Sequence, residues 1–445
     1  MKILIVGNGD TAVHLAQMLS RENQDVVVMG TDANVLTELD LHCNVITQAG
    51  RAVSVSALRN AGAPDCDLCI AVTPFENHNL ISCEIAHWLG AHTTIARIDN
   101  AELLDEDARR HFVTLGVDSL VYPELIAANE IADSVEYVWM RARHLLADGE
   151  ICVCSVKIDS DASVAGLDLK EFGQRTAHFH VPLIMRRGVA IIPGGSHGFE
   201  PGDVAYFAFL PGHEAELAAL CGKKNRRIGR VLISGAGKMA DTVAPRLAAM
   251  GYPVKVIDAD RDRCERFADL HSHVTVVNAD PRSIDTLREE GIRDNCAFIA
   301  LGDSSETNIV SATVAKHLGA VKTIADIEDT QYFDEARQLD IDTVVNKKLL
   351  TSSRIYQRLL DDYLDSPRCL AFEDTEVVET QAREGSAITQ RPVRDLRLPP
   401  QMTIAGLRRG NRGMLVNGNT RIEPGDRVVT FCQRGEIRRV EKLFS

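Results

Sequence analysis

Apolar runs and helical patterns alternate along residues 1–136, and the same alternation returns along residues 228–362. Each apolar run is continuous rather than alternating, as in KILIVG at residues 2–7 and RVLISG at residues 230–235. Continuous runs are typical of strands buried on both faces, and strands that alternate with helices indicate βαβ units. The pattern therefore predicts two doubly wound α/β domains, each built on a parallel sheet.

A tandem duplication relates the two halves of the chain. LRNAGAPDCDLCIAVTPFENHN at residues 58–79 matches LREEGIRDNCAFIALGDSSETN at residues 287–308. Short strand patterns joined by Gly and Pro turns follow each α/β unit, and the turn EPGD occurs at both Glu200–Asp203 and Glu423–Asp426. Pro followed by Gly is typical of such turns. We therefore predict a small β-rich α+β domain after each Rossmann-like domain.

The composition shifts give the domain limits that we predict. The Rossmann-like domains are expected at residues 1–136 and 228–362, and the small domains at residues 137–220 and 363–445. A basic, glycine-flanked linker is expected at residues 221–227.

The charge and apolar content narrow the function classes. The 445 residues are 45% apolar and 25% charged, with 49 Lys and Arg against 63 Asp and Glu, for a formal net charge of −14. This balance argues against binding to nucleic acid and against direct insertion into lipid. Since no apolar run reaches the ~18 residues of a membrane span and the first run ends at Gly7, we expect a cytoplasmic protein without a signal peptide.

The cysteines and histidines do not form a recognisable metal site. Cys66 and Cys69 form a C-x-x-C pair, but no second pair or nearby pair of histidines completes it, so we expect buried thiols. Cys152 and Cys154, in a strand pattern, are given the same interpretation. Three histidines of the first small domain lack a suitably spaced carboxylate and are expected to be ordinary surface or turn residues: His178, His180 and His197.

No arrangement of catalytic residues is found in the small domains. An NAD-dependent oxidoreductase needs a domain that supplies a general acid or base beside the nicotinamide. The small domains show no His/Asp or Cys/His pairing, no H-E-x-x-H and no G-x-S-x-G. We therefore predict that the protein is not an enzyme and has neither catalytic residues nor a bound metal.

A glycine-rich turn follows the first strand of each Rossmann-like domain. The spacings Gly7-x-Gly9-x-x-Ala12 and Gly235-x-Gly237-x-x-Ala240 are the dinucleotide fingerprint in its G-x-G-x-x-A form. The first glycine makes the turn, the second lets a pyrophosphate approach, and the amides that open the helix bind the phosphates. The predicted phosphate-binding residues are Gly7, Asn8, Gly9, Asp10 and Thr11 in the first half, and Gly235, Ala236, Gly237, Lys238 and Met239 in the second.

The ribose-binding acid distinguishes the two halves. Asp258 ends the second strand of the second half, near the expected spacing of about 20 residues from the glycine turn. It is predicted to accept hydrogen bonds from ribose hydroxyls, whereas the aligned residue of the first half is Gly30. Asp32 aligns with Asp260, and each either caps the next helix or contacts a ligand.

Two further aligned positions differ between the halves. Asp280 is a second candidate ligand residue, and Arg51 stands at its place in the first half. Conversely, Arg97 aligns with Asp326. Arg97 is a candidate for a phosphate contact or for a surface ion pair.

The loops after the fourth strands lie at the carboxyl edge of each sheet, where such ligands bind. Thr73 begins the loop at residues 73–79, and residues 302–308 form its counterpart. We take Thr73 as a candidate contact. Asn79 and Asn308 are candidates for ligand contact or for helix capping.

With these residues in view, the chain resembles the TrkA family, the peripheral nucleotide-binding components of bacterial Trk potassium-uptake systems. Its α/β units look like RCK (KTN) domains and its small units like RCK C-terminal domains. The residues that carry the resemblance are GNGDTA, GAGKMA, VIDAD, IALGDSSETN, IARI and the two EPGD turns, in the order of four units.

The resemblance implies more than the residues show. It implies that NAD or NADH, with ATP and ADP as alternative ligands, binds the Rossmann sites. It implies a homotetramer that forms a gating ring on a Trk-type, potassium-translocating membrane subunit. The protein would then be peripheral on the inner face of the membrane, through that protein partner.

The first half departs from the family pattern, since Gly30 replaces the usual acid and Arg51 lies where an acidic stretch is expected. That places NAD binding by the first site in doubt and leaves ATP or ADP binding, through residues 7–11 and Arg97, or a structural role. The second half has Asp326 in place of the phosphate-facing Arg, so we hypothesise that the two sites prefer different ligands.

Three other functions are alternatives to this one. One is regulation of a different cation transport or efflux system, which shares the RCK unit. The second is an NAD-dependent oxidoreductase, disfavoured by the missing catalytic domain. The third is a DNA-binding redox sensor, disfavoured by the acidic charge.

Overall fold

A computed structural model describes residues 1–444 except 21–23, 224–226, 294, 330–331, 333–335, 337–338, 364–367, 373–374 and 434–435. The chain divides into two compact units. One comprises Met1–Glu130, Asp326–Phe333 and Val345–Arg358, and the other comprises Ile131–Ala325, Asp334–Val344 and Leu359–Ser445. Among the described residues, no helix is both long and apolar enough to cross a membrane.

The first Rossmann-like domain is a parallel sheet with flanking helices. Its strands are β1 (Lys2–Val6), β2 (Asp25–Gly30), β3 (Ile46–Ala49), β4 (Leu68–Ala71), β5 (Thr93–Arg97) and β6 (Ser119–Val121). Its helices are α1 (Asp10–Leu19), α2 (Ala33–His42), α3 (Val55–Asn60), α4 (Glu76–Leu89), α5 (Glu106–Thr114) and α6 (Pro123–Glu136), with short 3-10 turns at Ala63–Asp65 and Ala101–Leu104. The parallel sheet has the order β3-β2-β1-β4-β5-β6, so the strand order reverses between β1 and β4, beside the first glycine loop.

The first small domain is an antiparallel sheet with two short helices. Its strands are β7 (Ala142–Leu146), β8 (Ile151–Lys157), β9 (His180–Arg186), β10 (Val189–Ile191) and β11 (Val204–Phe209), and its helices are α7 (Leu169–Arg175) and α8 (Glu214–Leu220). The sheet order is β10-β9-β11-β8-β7. Phe172, Phe199 and Phe207 pack together on one face of this sheet and form the centre of its core.

The second Rossmann-like domain repeats the first. Its strands are β12 (Arg230–Ser234), β13 (Val254–Asp258), β14 (Thr275–Asn278), β15 (Cys296–Ala300), β16 (Lys322–Asp326) and β17 (Thr343–Val345). Its helices are α9 (Lys238–Ala249), α10 (Arg261–Leu270), α11 (Ile284–Glu289), α12 (Ser305–His317) and α13 (Lys347–Tyr363). The sheet order, β14-β13-β12-β15-β16-β17, is that of the first sheet, and the second glycine loop again follows the central strand.

The second small domain has the topology of the first. Its strands are β18 (Arg368–Phe372), β19 (Thr375–Gln381), β20 (Met402–Arg409), β21 (Arg412–Leu415) and β22 (Arg427–Gln433), in the order β18-β19-β22-β20-β21. Its helices are α14 (Ala387–Gln390) and α15 (Ile437–Phe444), and a 3-10 turn spans Val393–Asp395. The predicted fold class, two doubly wound parallel sheets each followed by a small β-rich domain, is confirmed. The domain limits stay a prediction, and residues 224–226 of the predicted linker lie outside the described residues.

One apolar core is shared by the two small domains. Val153 and Tyr206 of the first pack in the same cluster as Val429 and Phe431 of the second. The backbones also approach closely, since a Cβ at Gly413 would lie 2.5 Å from the carbonyl oxygen of Glu150. The two sheets therefore stabilise each other.

Each EPGD turn is fixed by an arginine fork. Arg186 donates from Nε and Nη2 to Asp203 at 2.9 and 2.8 Å and from Nη1 to Glu200 at 2.6 Å. In the second small domain, Arg409 makes the same bonds with Asp426 at 2.8 and 2.7 Å. Since both aspartates are 1% exposed, the fork neutralises a buried carboxylate in each turn.

The four cysteines discussed above are buried, as the sequence predicts. Burial raises the pKa of Cys66 to about 12 and that of Cys152 to about 11. Such thiols are protonated at neutral pH and are weak nucleophiles and weak metal ligands.

The prediction that His180 is an ordinary surface or turn residue is wrong. His180 opens strand β9, and its Nε2 lies 3.1 Å from the Thr403 hydroxyl of the second small domain. Burial of the imidazole lowers the pKa of His180 to about 4. The residue is therefore a neutral part of the packing between the two sheets.

Candidate nucleotide-binding site

The second glycine loop is shaped for a close approach of a ligand. Gly235 has φ +101°, and a Cβ at this position would lie 2.7 Å from the Leu301 carbonyl oxygen, so the turn requires glycine. At Gly237 a Cβ would meet only the Asp303 carboxylate, at 3.9 Å. The second glycine therefore faces open space immediately before α9, where a pyrophosphate binds in a dinucleotide fold.

Asp258 lies beside this loop, at the carboxyl end of β13. Its Oδ2 accepts a hydrogen bond of 2.7 Å from the backbone N–H of Ala236, and its Oδ1 accepts one of 2.8 Å from Asp260. An ionised carboxylate has about four lone-pair sites, so each oxygen keeps capacity for a ribose hydroxyl. The structure thus brings together the predicted glycine loop and the predicted ribose acid, and Asp258 remains 8% exposed.

Two arginines of α10 that the sequence analysis missed also border the loop. Arg266 donates to the Ala236 carbonyl oxygen at 2.7 Å and to Asp241 at 2.9 Å, and so fixes the loop to α9. Arg263 pairs with Asp303 at 2.7 Å, and this hydrogen bond raises the pKa of the guanidinium. The helical spacing of these arginines after VIDAD would have indicated that they face the glycine loop.

Other candidate residues of the second half lie in distinct environments. Lys238 opens α9, and Met239 is buried in the core. Asp280 forms a two-bond ion pair with Arg282, at 3.0 and 2.9 Å, which lowers the pKa of Asp280. Asp260 caps α10 through the N–H of Arg263, in agreement with the capping alternative.

In the first half, the side chain of Asn8 fills the space that the acid fills in the second. A Cβ added to Gly30 would lie 2.5 Å from Asn8 Cγ, and Asn8 Nδ2 donates to the Asp32 carbonyl oxygen at 3.2 Å. The residue of the second half that aligns with Asn8 is Ala236, which has no side chain beyond Cβ. The differences at these two positions are therefore coupled: an amide replaces a carboxylate, and the charge is lost.

The first glycine loop also differs in its charged groups. Gly7 has φ +125° and Gly9 faces open space, as in the second half. However, Asp10 occupies the first position of α1, where the second half has Lys238, and pairs with Lys348 at 2.7 Å. A carboxylate at a helix N-terminus competes with a phosphate for the same favourable position.

Two remaining candidates of this half are in structural contacts. Asp32 caps α2 by accepting from the N–H groups of Asn34 and Val35, which agrees with the capping alternative. Thr11 is buried, 8% exposed, in the first turn of α1. The first loop thus keeps the glycine geometry of the fingerprint without a carboxylate aligned to Asp258.

The loop after β4 is closed by Asn79 rather than by a helix cap. Asn79 Oδ1 accepts from Thr73 N at 2.8 Å, and its Nδ2 donates to the Thr73 carbonyl oxygen at 3.0 Å. In the second half, Asn308 bridges Gly302 in the same way, and the side-chain cap of α12 is Ser304. The capping alternative is therefore not realised for either asparagine, because each lies inside its helix and bonds back to the loop.

Arg97 and its aligned residue Asp326 differ in environment as well as charge. Arg97 pairs with Asp99 at 3.3 Å and donates to the Thr73 carbonyl oxygen at 3.2 Å, so the ion-pair alternative is realised. Asp326 is 5% exposed, and burial raises its pKa to about 7. A carboxyl group at that place offers no positive charge to a phosphate.

Comparison with solved structures identifies the fold. A structure described as the GsuK channel bound to NAD has a TM-score of 0.58 at 18% identity, over 100% of this chain and 78% of that chain. A structure of GsuK bound to ADP has a TM-score of 0.50 at 14% identity, over 81% and 69%. The duplicated Rossmann-like domains and their small domains therefore share the fold of the GsuK RCK domain.

Family models and a close relative identify the family. The TrkA-N domain model matches residues 3–123 and 231–347, and the TrkA-C domain model matches residues 377–445. The Trk system potassium uptake protein TrkA of Haemophilus influenzae is 30% identical over 452 residues, covering 100% of this chain and 98% of that protein. The chain belongs to the TrkA family.

Proposed function

We propose that this protein is the regulatory component of a Trk-type potassium-uptake system, and that it binds a nucleotide at its second Rossmann-like domain. The observation that carries the proposal is Asp258 beside an open glycine loop, with Gly237 facing the space where a pyrophosphate binds. Lys238 at the first position of α9 adds positive charge at the same helix end. The ligand class is NAD or NADH, with ADP and ATP as alternatives that share the adenosine ribose and the pyrophosphate.

The first Rossmann-like domain has a different role in this proposal. With Asn8 over Gly30 it has no counterpart of Asp258. Asp10, paired with Lys348, stands at the start of α1 where the second half has Lys238. The affinity of the first domain for an anionic nucleotide is therefore lower than that of the second. If it binds a ligand, the contacts come from the loop at residues 7–11, Thr73 and Arg97.

Regulation follows from a difference in affinity. A nucleotide shifts the protein between two conformations only as far as it binds one more tightly than the other. The shift is passed to a potassium-translocating membrane subunit, on whose cytoplasmic face the protein forms a peripheral ring, as a homotetramer. The family membership and the name of the Haemophilus relative support this partner.

Rubidium flux into vesicles that contain the membrane subunit of the same organism tests the proposal. We expect the full-length chain to change the flux, and ATP, ADP, NAD and NADH to modulate that change in different degrees. A flux that is the same with and without the chain would refute the regulatory role. A flux that responds to the chain but to none of the four nucleotides would refute nucleotide sensing.

Co-purification separates this function from regulation of another transport or efflux system. The tagged chain is expected to retain the Trk-type subunit from detergent-solubilised membranes of the same organism. Retention of a different cation transporter, with no Trk-type subunit, would favour that alternative instead.

A further inference from the structure

Two histidines and a glutamate converge on the surface of the first small domain. His178 lies between α7 and β9, His213 precedes α8, and Glu216 lies in the first turn of α8. Their potential ligand atoms all lie within 4.8 Å of one another. His178 is 38 residues from Glu216, so this meeting depends on the fold rather than on a local motif.

The two imidazoles contact the same carboxylate oxygen. His178 Nδ1 lies 2.7 Å from Glu216 Oε2, and His213 Nδ1 lies 3.2 Å from it. The two rings are close to each other as well, with centroids 4.2 Å apart. Three ligand atoms around a tetrahedral zinc ion lie about 3.3 Å apart, since the bonds are about 2.0–2.2 Å long. Small side-chain rotations bring the three atoms to that spacing.

The surroundings keep the three groups in position. The Thr176 hydroxyl donates to Glu216 Oε1 at 3.2 Å, which leaves Oε2 directed at the histidines. The buried ring of Phe179 lies edge-on to both imidazoles, with centroids 6.5 Å from His178 and 6.3 Å from His213. Hydrogen bonding to a ligating carboxylate and an apolar base beneath it are features that support metal sites.

We propose that His178, His213 and Glu216 bind a divalent transition-metal ion, with Zn²⁺ the best fit. Two imidazole nitrogens and one carboxylate oxygen are ligands that zinc commonly takes. Mg²⁺ and Ca²⁺ take oxygen ligands, so we expect this site to prefer Zn²⁺ to either of them. The half-exposed setting leaves the fourth position to water or to a ligand from another molecule. The site is independent of the proposed nucleotide function.

Metal titration of the full chain tests the proposal. Every protein used in this experiment carries Cys43→Ser. The substitution removes the half-buried thiol among the described cysteines, which could otherwise compete for zinc. After treatment with a chelator, the protein is titrated with Zn²⁺ by calorimetry and with Co²⁺ by visible absorption. We expect one ion to bind per chain. The visible spectrum of bound Co²⁺ is expected to be that of an ion with few ligands, some of them nitrogen atoms. Mg²⁺ is expected to give no heat of binding.

Variants assign the ion to the three residues. His213→Asn and Glu216→Gln are each expected to lower zinc affinity by at least about tenfold, because each removes one of three protein ligands. His197→Asn is the matched control, since His197 lies in the same domain and its Nδ1 accepts a hydrogen bond from the Gly194 N–H within one turn. It is expected to leave zinc binding unchanged.

Two outcomes would overturn the site. One is a parent chain that binds no Zn²⁺. The other is equal stoichiometry and affinity in the parent and in the double variant His178→Asn/His213→Asn, with circular dichroism to verify that the variant is folded. In either case the three residues form an ordinary ion pair and nothing more.

Discussion

The carboxylate of Asp258 accepts a hydrogen bond of 2.7 Å from the backbone N–H of Ala236 and thereby joins the end of β13 to the second glycine loop. In the first half, the side chain of Asn8 fills the equivalent gap above Gly30. The duplication has kept the packing at this junction and changed its charge. A second difference in charge lies beside it, since Asp10 opens α1 where Lys238 opens α9.

Removing the Asp258 carboxylate tests the second site. Asp258→Ala is expected to weaken NADH binding by about tenfold or more, because a charge-assisted hydrogen bond contributes about 1.5–3 kcal/mol. Calorimetric titration of the intact chain measures the effect, and the exposed Asp285→Ala serves as the control. Equal affinities in the two variants would show that Asp258 does not contact the ribose.

The packing of Asn8 against Gly30 predicts a rescue. Gly30→Asp alone is expected to destabilise the first Rossmann-like domain by about 1–3 kcal/mol, because the new Cβ overlaps the Asn8 side chain. Asn8→Ala/Gly30→Asp rebuilds the arrangement of the second half, so we expect it to recover most of the loss. Thermal unfolding measures both variants.

A glycine without close neighbours provides the control for this pair. Gly173 is exposed in α7, and nothing lies within 4 Å of a Cβ added there. Gly173→Asp is therefore expected to change the unfolding temperature little. If the double variant were no more stable than Gly30→Asp alone, the two positions would not be coupled.

Asp326 predicts a pH-dependent loss of stability. Burial raises its pKa from 3.8 to about 7, with Glu328 and Glu124 adding to the rise and Lys347 and Lys348 opposing it. The folded state therefore binds a proton that the unfolded state releases, so this residue lowers the free energy of unfolding progressively as the pH rises from about 4 through 7. Asp326→Asn is expected to be more stable than the parent at pH 8, and the difference is expected to vanish near pH 4.

Thermal unfolding of both chains across this pH range measures the difference. Asp285→Asn provides the matched control, since Asp285 is 89% exposed and its removal should shift stability equally little at every pH. A pH profile for Asp326→Asn that runs parallel to that of the parent would contradict the raised pKa.

The arginine fork of the first small domain predicts a large difference between two neighbouring acids. Asp203→Asn places an amide donor against the Arg186 guanidinium in a buried position and is expected to cost on the order of 2–4 kcal/mol. Glu200→Gln alters the half-exposed partner of the same arginine and is expected to cost under about 0.5 kcal/mol. Chemical unfolding followed by circular dichroism compares them, and similar costs would rule out the buried fork as the main support of the turn.

The local features of the fold could be predicted from the sequence because they repeat within it. The glycine loops, the strand that ends at Asp258 and the EPGD turns are each defined by neighbouring residues. Contacts that depend on the path of the chain could not be predicted. The position of Asn8 above Gly30 requires knowing that β2 ends beside the first loop.

The same limit explains the errors in the sequence analysis. Asparagine is a residue type that often caps helices, but Asn79 and Asn308 each bond to a residue six positions earlier, across a turn. His178 could not be paired with Glu216 by spacing, because β9, β10 and β11 intervene. Amino-acid preference predicts what a side chain is able to do, and the tertiary contacts decide which partner it has.

The shared core of the two small domains makes the two repeats depend on each other. A chain cut between Cys221 and Arg230 would yield two fragments, each exposing apolar residues such as Tyr206 or Phe431 that are normally covered by the other. The fragments would remain soluble only by finding each other, whereas the peptide connection keeps them at a high local concentration. The repeats are thus similar in sequence but no longer separable. Neither is expected to evolve into an independent single-repeat protein unless another partner first covers the apolar face of its small domain.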